Sequence, residues 1–123
     1  MARRAKELQD RILARIRGIS ALGERVREDW ADPQSNDLPY ARVGVTETLD
    51  ASERLELLAT VHLWQRSETT ELIDAVCRTL EEPPAIENIS ITSWEQVLVE
   101  MRPDTELSGY RVLVRFRAEG EVL

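Results

Sequence analysis

Histidine and cysteine are the side chains best suited to act together as base and nucleophile, and this chain has one of each, His62 and Cys77. Cysteine–histidine catalysis requires the two side chains to meet. Cys77 falls on the apolar stripe of a predicted helix, where a cysteine is usually a small buried hydrophobic residue. His62 falls on the mixed face of a predicted strand, which favours a structural or interface histidine, with a pH-sensitive contact as the alternative. We therefore expect no catalytic pair.

Other sequence signatures of chemistry are missing. A single cysteine excludes an intrachain disulfide, and no Cys/His cluster has the spacing of metal ligands. The chain contains no P-loop, GxGxxG, HExxH, CxxC or GxSxG motif. Adjacent acids such as Glu81–Glu82 and Glu28–Asp29 indicate a solvated surface. We predict no catalytic, cofactor-binding or metal-binding residues, and a protein that is not an enzyme.

The three tryptophans, Trp30, Trp64 and Trp94, favour a binding surface over a catalytic site. Tryptophan is enriched at protein interfaces, although each one alone is more often a core or sheet-edge packing residue. Trp64 and Trp94 are predicted to lie on strand faces opposite the most regular apolar rows, and leucines recur on these second faces. This pattern favours an oligomer, in which Trp64→Ala weakens assembly more than folding. The candidate subunit-interface residues are His62, Trp64, Trp94 and Leu98.

Size and charge restrict the class of protein further. The chain has 123 residues and a formal charge of −7, which fits a single domain over residues 1–123. Residues 1–30 carry eight basic and five acidic side chains, whereas residues 31–123 carry eight and eighteen. An acidic body argues against tight binding of duplex DNA, which depends on neutralising phosphates. Since no apolar run is long enough for a signal peptide or a membrane span, we expect no membrane association.

Apolar spacing predicts two helices. The first is an N-terminal amphipathic helix within residues 1–20, which spans about residues 4–18. The second spans about residues 68–82, with Ser67 as its N-cap and Pro83–Pro84 ending it. In each helix, apolar residues recur at spacings of three and four residues and form a stripe along one face. The stripe of the first helix is Ala5, Leu8, Ile12, Ile16 and Ile19, and that of the second is Leu72, Ile73, Val76, Cys77 and Leu80.

Alternating apolar residues predict the strands. A short strand is predicted at 24–29, a loop at 31–37, and longer strands at 40–48, 53–64, 86–101 and 110–119. In the 53–64 segment, Leu55, Leu58, Val61 and Leu63 also fit a helical spacing. The alternating pattern is longer, and it favours a strand. The sheet and the second helix thus occupy residues 24–118. The predicted fold class is α+β, a mostly antiparallel sheet with an N-terminal helix and one central helix packed on one face.

Two segments, ALGERVREDWADPQSNDLPYARVGV at 21–45 and VHLWQRS at 61–67, carry a resemblance to a known family. They resemble the tail completion proteins of long-tailed bacteriophages, also called tail terminators or head–tail joining proteins. The family pattern has a short strand, here Arg25–Val26, then Pro39–Tyr40, a glycine at Gly44, and a long strand ending as in Trp64 to Ser67. Many members have a glycine shortly after that serine, where this chain has Glu68-Thr69-Thr70. The resemblance covers about residues 8–118.

The resemblance implies a structural virion protein of the tail or neck region, assembled in the host cytoplasm. Such a subunit forms a homo-oligomeric ring, commonly a hexamer, that caps the tail tube at its final length. The ring contacts the tail tube protein and the head–tail connector protein, and DNA passes through its lumen without specific binding. An acidic lumen wall is our hypothesis for this passage. The alternatives are another connector, stopper or minor tail protein, or a small ligand-binding or enzymatic α+β domain.

Overall fold

The computed structural model describes residues 3–23, 25–27, 38–52 and 54–123. Within these ranges, two helices and five strands follow in the order α1 (Arg3–Ile16), β1 (Val26–Arg27), β2 (Tyr40–Leu49), β3 (Arg54–Gln65), α2 (Glu71–Thr79), β4 (Ile89–Asp104) and β5 (Gly109–Val122). The predicted loop at 31–37 and Trp30 lie outside the described residues. No helix within the described ranges is long and apolar enough to cross a membrane.

The five strands form one sheet in the order β1-β2-β3-β5-β4. The β2–β3, β3–β5 and β5–β4 pairs are antiparallel, and only β1 runs parallel to its neighbour, β2. Helix α1 packs on β2, with further contacts to β1 and β3, and α2 packs on β5. Both helices therefore cover the same face of a mostly antiparallel sheet, and the predicted α+β class is confirmed.

Helix α1 attaches to the sheet through the apolar stripe that its sequence predicts. Ala5, Leu8, Ile12 and Ile16 are all at most 1% exposed, and Ile19 packs at the margin of the same core. The buried amide of Gln9 donates a hydrogen bond of 2.7 Å to the carbonyl oxygen of Val43, just beyond the short β1 pairing. Helix α1 thus provides a hydrogen-bond donor to a backbone carbonyl at the edge of β2.

The strand prediction at 53–64 is also confirmed. One row of β3 is at most 3% exposed, and it faces a matching buried row on β5 in register. Directly opposed residues of an antiparallel pair share a sheet face, so both rows lie under the helices. The two rows consist of Leu55, Leu57, Ala59, Val61 and Leu63, and of Val112, Val114, Phe116 and Ala118.

The prediction that Ser67 caps α2 is wrong. The helix begins at Glu71 after Thr70, whose side chain makes no capping hydrogen bond. The amide of the buried Gln65 holds this corner instead, because its Nε2 donates to the carbonyl oxygens of Ser67 at 2.8 Å and Thr69 at 2.7 Å. These bonds fix the chain in a non-helical path before the helix can begin. The helix also ends at Thr79, a few residues earlier than predicted.

Strand β4 departs most from its predicted pattern. It spans Ile89–Asp104 rather than 86–101, and its pairing with β5 shifts register between Ile91 and Ser93 and again between Gln96 and Leu98. Each β-bulge inserts one unpaired residue, which moves the following side chains to the other face. The parity predicted for this strand therefore holds before the first bulge and again after the second, and it is inverted between them.

Candidate subunit interface

The face of the sheet turned away from the helices, here called the open face, carries most of the polar side chains of the strands. Its members follow from the register with the buried rows. The central positions are half-buried, because long arginine side chains lie over their neighbours. The open face consists of Tyr40, Arg42, Gly44, Thr46, Thr48, Arg54, Glu56, Leu58, Thr60, His62, Trp64, Ser90, Ser93, Glu95, Leu98, Glu100, Arg102, Arg111, Leu113, Arg115, Arg117, Glu119 and Glu121.

Trp64 lies at one end of the open face and is only 2% exposed. It forms a second, smaller apolar cluster with Leu38, Tyr40 and the half-buried Leu107. The Tyr40 ring centroid lies 5.6 Å from that of Trp64, with the two rings tilted by 59°. The predicted orientation of Trp64, away from the buried β3 row, is therefore confirmed. Because the indole is covered within the chain itself, it has little surface left to offer a partner.

Two arginines lie over this indole. The guanidinium carbons of Arg42 and Arg111 are 5.2 and 5.3 Å from the centre of the Trp64 ring, within the range of cation–π contacts. Arg42 is itself 6% exposed. Neither arginine is among the interface residues predicted from the sequence. Their positions were nonetheless visible in the alternation, because Arg42 and Arg111 occupy the mixed faces of their strands.

His62 lies beside Trp64, with ring centroids 6.1 Å apart in a stacked arrangement. A guanidinium nitrogen of Arg111 lies 3.3 Å from Nδ1 of His62. Since arginine only donates hydrogen bonds, this contact assigns Nδ1 as the acceptor and places the proton of the neutral ring on Nε2. His62 points to the open face, whereas α2 and Cys77 lie on the opposite side of the sheet. The sheet therefore separates the histidine from the thiol.

Cys77 has the environment that its position on the α2 stripe predicts. Its side chain is partly buried against the core. Burial raises the pKa of the Cys77 thiol, and the nearby carboxylate of Asp74 raises it further. Because the thiolate is the reactive form, both influences make this cysteine less nucleophilic. Within the described ranges, no three histidine, cysteine or carboxylate side chains are grouped to hold a metal ion.

Trp94 does not lie on the face predicted for it. The bulge after Ile91 turns it to the helix side, where its ring stacks on Phe116 with centroids 5.2 Å apart and planes 8° apart. Its Nε1 donates a 2.8 Å hydrogen bond to the carbonyl oxygen of Leu80, at the end of α2. Leu98 returns to the open face after the second bulge and lies opposite Arg115. Trp94 is thus on the other side of the sheet from His62, Trp64 and Leu98.

The outer edge of β4 carries an exposed apolar pair that is not among the predicted interface residues. Val97, the extra residue of the second bulge, is 44% exposed, and Val99 is 43% exposed. Val99 lies on the helix side, opposite the buried Val114, but the helices do not cover it. Exposed valines so close together on an edge strand are typical of a contact surface. The subunit-interface roles of His62, Trp64, Trp94 and Leu98 remain predictions.

A shallow cavity of about 390 Å³ lies at the other end of the open face. Its wall includes Asp50, Arg54 and the ion pairs made by Arg117, whose guanidinium lies 3.1 Å from Glu56 and 2.7 Å from Glu119. These two carboxylates already bind arginine. The cavity therefore presents paired charges rather than a free acid and base.

Asp50 closes the turn between β2 and β3. Its Oδ1 accepts hydrogen bonds from the Ser52 hydroxyl at 2.7 Å and from the backbone N–H groups of Ser52 at 2.9 Å and Arg54 at 3.0 Å. The hydroxyl of Ser52 makes the largest contribution to holding the pKa of Asp50 below its ordinary value, followed by the Arg54 N–H. Hydrogen bonds to the charged form favour ionisation.

We expect Ser52→Ala to raise the pKa of Asp50 toward its ordinary value. The turn is stabilised by ionised Asp50, so its contribution is present above the ordinary pKa and is lost as the pH falls through the lower, folded pKa. NMR titration of the Asp50 carboxyl carbon in both forms measures the shift. An unchanged pKa in Ser52→Ala would show that the backbone donors alone set it, and Thr48→Ala serves as a control on the same cavity wall.

Comparison with known proteins gives a match in structure but not in sequence. No protein-family model matches the chain, and no curated protein matches it. Among solved structures, the fold matches a chain from a structure described as the virion of a native gene transfer agent particle. The two chains share 12% sequence identity and a TM-score of 0.67, and the match covers 98% of this chain and 99% of the other. At this identity the match establishes the fold.

Proposed function

We propose that this protein is a structural component of a phage-like particle, and that it forms the ring that caps the tail tube and joins it to the head connector. The observation that supports this proposal most is the fold match to a virion chain, which extends over nearly the whole of both chains. A match of equal extent in both chains means that this fold is used without large additions in the virion protein. The proposed role is assembly and not catalysis.

The proposed role of capping the tail tube is based on the segments that resemble tail completion proteins. In the structure, Arg25–Val26 leads into β1, Pro39–Tyr40 precedes β2, and Trp64 lies at the end of β3. These three positions come together at one end of the sheet, where Val26 pairs with Ala41 and Tyr40 pairs with Trp64. The resemblance therefore rests on residues that are neighbours in the fold. The proposed partners are further copies of this chain, the tail tube protein and the connector protein.

A second candidate role is that of a neighbouring head–tail component, such as a connector stopper or a minor tail subunit. The same fold match supports it, because a virion contains several kinds of structural protein.

In either role, DNA passes the ring without sequence-specific contacts. The acidic lumen wall proposed from the net charge requires that the open face, with its row of arginines on β5, points away from the DNA.

The ring proposal predicts the mass of the purified protein in solution. We expect native mass spectrometry to show a species of several times 14.1 kDa, with six copies as the expected number, and negative-stain microscopy to show rings with a central opening. Measurements over a range of protein concentrations and salt are needed, because assembly follows mass action. A strict monomer under all these conditions, including with tail tubes added, would contradict the ring.

A further inference from the structure

The exposed apolar side chains of the strands lie at the two outer sides of the sheet. Among the described residues, the large apolar side chains that are exposed are Leu49, Val97, Val99 and Leu123. Leu49 is the last residue of β2, and the two valines lie on β4, at the opposite side of the sheet. Because soluble proteins usually protect edge strands with charged side chains, exposed apolar residues at these positions indicate a surface that pairs with another chain.

Both outer sides also have backbone available for a further strand. Strand β4 pairs with β5 on one side, and no described strand lies on its other side. After the second bulge, its pairing with β5 continues without a shift over residues 98–104. At the opposite side of the sheet, the described part of β1 pairs with residues 41–42 of β2 only, and Thr46, Thr48 and Leu49 further along β2 are exposed. A stretch of strand is therefore accessible on each side.

We propose that β2 of one copy pairs with β4 of the next copy, and that this contact between opposite sides of the sheet builds the ring. The inference rests on the proposed ring and names the surfaces that form it. Within one sheet β2 and β4 run in opposite directions, because three antiparallel pairings connect them. A second copy in the same orientation therefore places its β2 antiparallel to β4. A contact between two different surfaces repeats from copy to copy and forms a ring when the rotation closes.

Side-chain orientation selects the register of this contact. Leu49 lies on the helix side of the sheet, since it pairs with the buried Leu55, and Val99 lies on the same side, opposite the buried Val114. Directly opposed residues of an antiparallel pair share a face, so Leu49 of one copy lies opposite Val99 of the next. The other pairs that follow are Thr48–Glu100, Glu47–Met101 and Thr46–Arg102.

The helix layers of two copies complement each other at this contact. Helix α2 lies on β5 and leaves Val99 43% exposed. Helix α1 lies mainly on β2, where the Arg4 guanidinium is 3.0 Å from the carboxylate of Glu47. The helix layer thus reaches β2 but stops short of β4. Pairing of the two strands places α1 of the next copy beside Val99, and the burial of Val99 and Leu49 favours assembly.

The register also gives a strand tilt that suits a closed ring. Pairing across the sheet places Val99 level with Val43, by way of Val114 and Val61. The next copy is therefore shifted along the strands by the six residues from Val43 to Leu49, which corresponds to about 20 Å. The step from β2 to the next β2 crosses about four strand spacings, or about 19 Å. The resulting tilt of about 45° lies at the upper end of the range for closed sheets, about 35–45°.

Disulfide crosslinking tests this register. Leu49→Cys and Val99→Cys are combined in one chain, and Cys77→Ala removes the native thiol. Within one copy the two positions are separated by three strand spacings, about 14 Å, whereas the Cα atoms of a disulfide lie within about 7 Å. Directly opposed residues of an antiparallel pair are about 4.5–5.5 Å apart. We expect copper–phenanthroline oxidation of the assembled protein to give a ladder of crosslinked species on a non-reducing gel, up to the full ring.

The matched control moves one cysteine to the other face of the same strand. Thr48→Cys combined with Val99→Cys should give no ladder, because Thr48 lies on the open face. Leu49→Cys alone and Val99→Cys alone should also remain uncrosslinked, since the proposed contact never brings two copies of the same residue together. A crosslinked dimer from either single variant indicates a two-fold contact and would overturn the proposal.

Hydrogen exchange of the wild-type protein tests the contact without any substitution. Every second backbone amide in residues 46–49 and 99–102 should exchange at least about 10-fold more slowly in the ring than in dilute subunits, because it gains a hydrogen bond to the next copy. Rings that form without the ladder and without this protection would overturn the contact while leaving the ring intact. Protection of residues 99–102 only after tail tubes are added would assign this edge to the tube protein, and would also overturn the contact. A wild-type protein that never oligomerises would instead overturn the ring, and the contact with it.

Discussion

Replacing Trp64 with alanine is expected to lower the free energy of unfolding by about 3–5 kcal/mol, the usual cost of removing a large aromatic side chain from a packed position. The indole is 2% exposed and fills the cluster with Leu38 and Tyr40. The substitution also removes the ring that Arg42 and Arg111 cover, and thus leaves two guanidinium groups without their cation–π partner. Urea denaturation with circular dichroism measures the loss.

This expectation revises the prediction made from the sequence, in which Trp64→Ala weakens assembly more than folding. A matched control is Leu98→Ala, which truncates a half-buried residue of the same open face and should cost much less stability. Trp64→Phe should fall between the two, because an aromatic ring remains for the arginines. A wild-type unfolding midpoint for Trp64→Ala, together with lost assembly, would restore the original view of Trp64 as an interface residue.

The second large effect is expected at Gly109, the first residue of β5. A Cβ atom at this position would lie 2.4 Å from the carbonyl oxygen of Gln65 and 3.4 Å from a Leu38 methyl carbon. Because the carbonyl is backbone, β3 and β5 have to separate at their last pair, and Gln65 also holds the corner before α2. We expect Gly109→Ala to cost about 1–3 kcal/mol, the range for overpacked positions.

Ser108→Ala provides the control for this prediction. Ser108 is the exposed neighbour of Gly109 in the turn and already has a Cβ atom, so the substitution adds no contact. Its unfolding free energy should stay within about 0.5 kcal/mol of the wild type. Hydrogen exchange should also show faster opening at the Gln65 end of β3 in Gly109→Ala. Equal stability of the two variants would show that the turn can move away without disturbing the sheet.

The sequence was sufficient for elements whose apolar pattern runs without interruption. In β3, five alternating residues predict a buried row, and all five lie under the helices. In α1, spacings of three and four residues identify the buried stripe because one regular period applies from end to end. The competing helical reading of 53–64 fails because the sheet buries every second residue of that segment.

The sequence was not sufficient where a local irregularity changes the period. The two bulges of β4 move Trp94 to the helix side and leave Val97 unpaired, and nothing in the residue types of this segment marks a bulge. The start of α2 was missed for a related reason. Ser67 is a suitable cap by type, but the hydrogen bonds of Gln65 to the corner are tertiary features that a local pattern does not contain.

Part of the candidate interface was predictable and part was not. The alternation in β3 correctly places His62 and Trp64 on the side opposite the buried row. It contains no information on what covers that side, and the covering residues, Leu38 and Leu107, come from two distant segments of the chain. The exposed valines of β4 depend on the limited extent of the helix layer. They could not be identified before the position of α2 was known.

We propose that this protein acts as a ring at the junction of tail and head in a phage-like particle. Electron microscopy of particles produced without this chain tests this role. We predict tails of abnormal length that are not attached to filled heads, with normal particles restored when the gene is supplied in trans. Joined particles with tails of normal length, produced in the complete absence of the protein, would contradict this role.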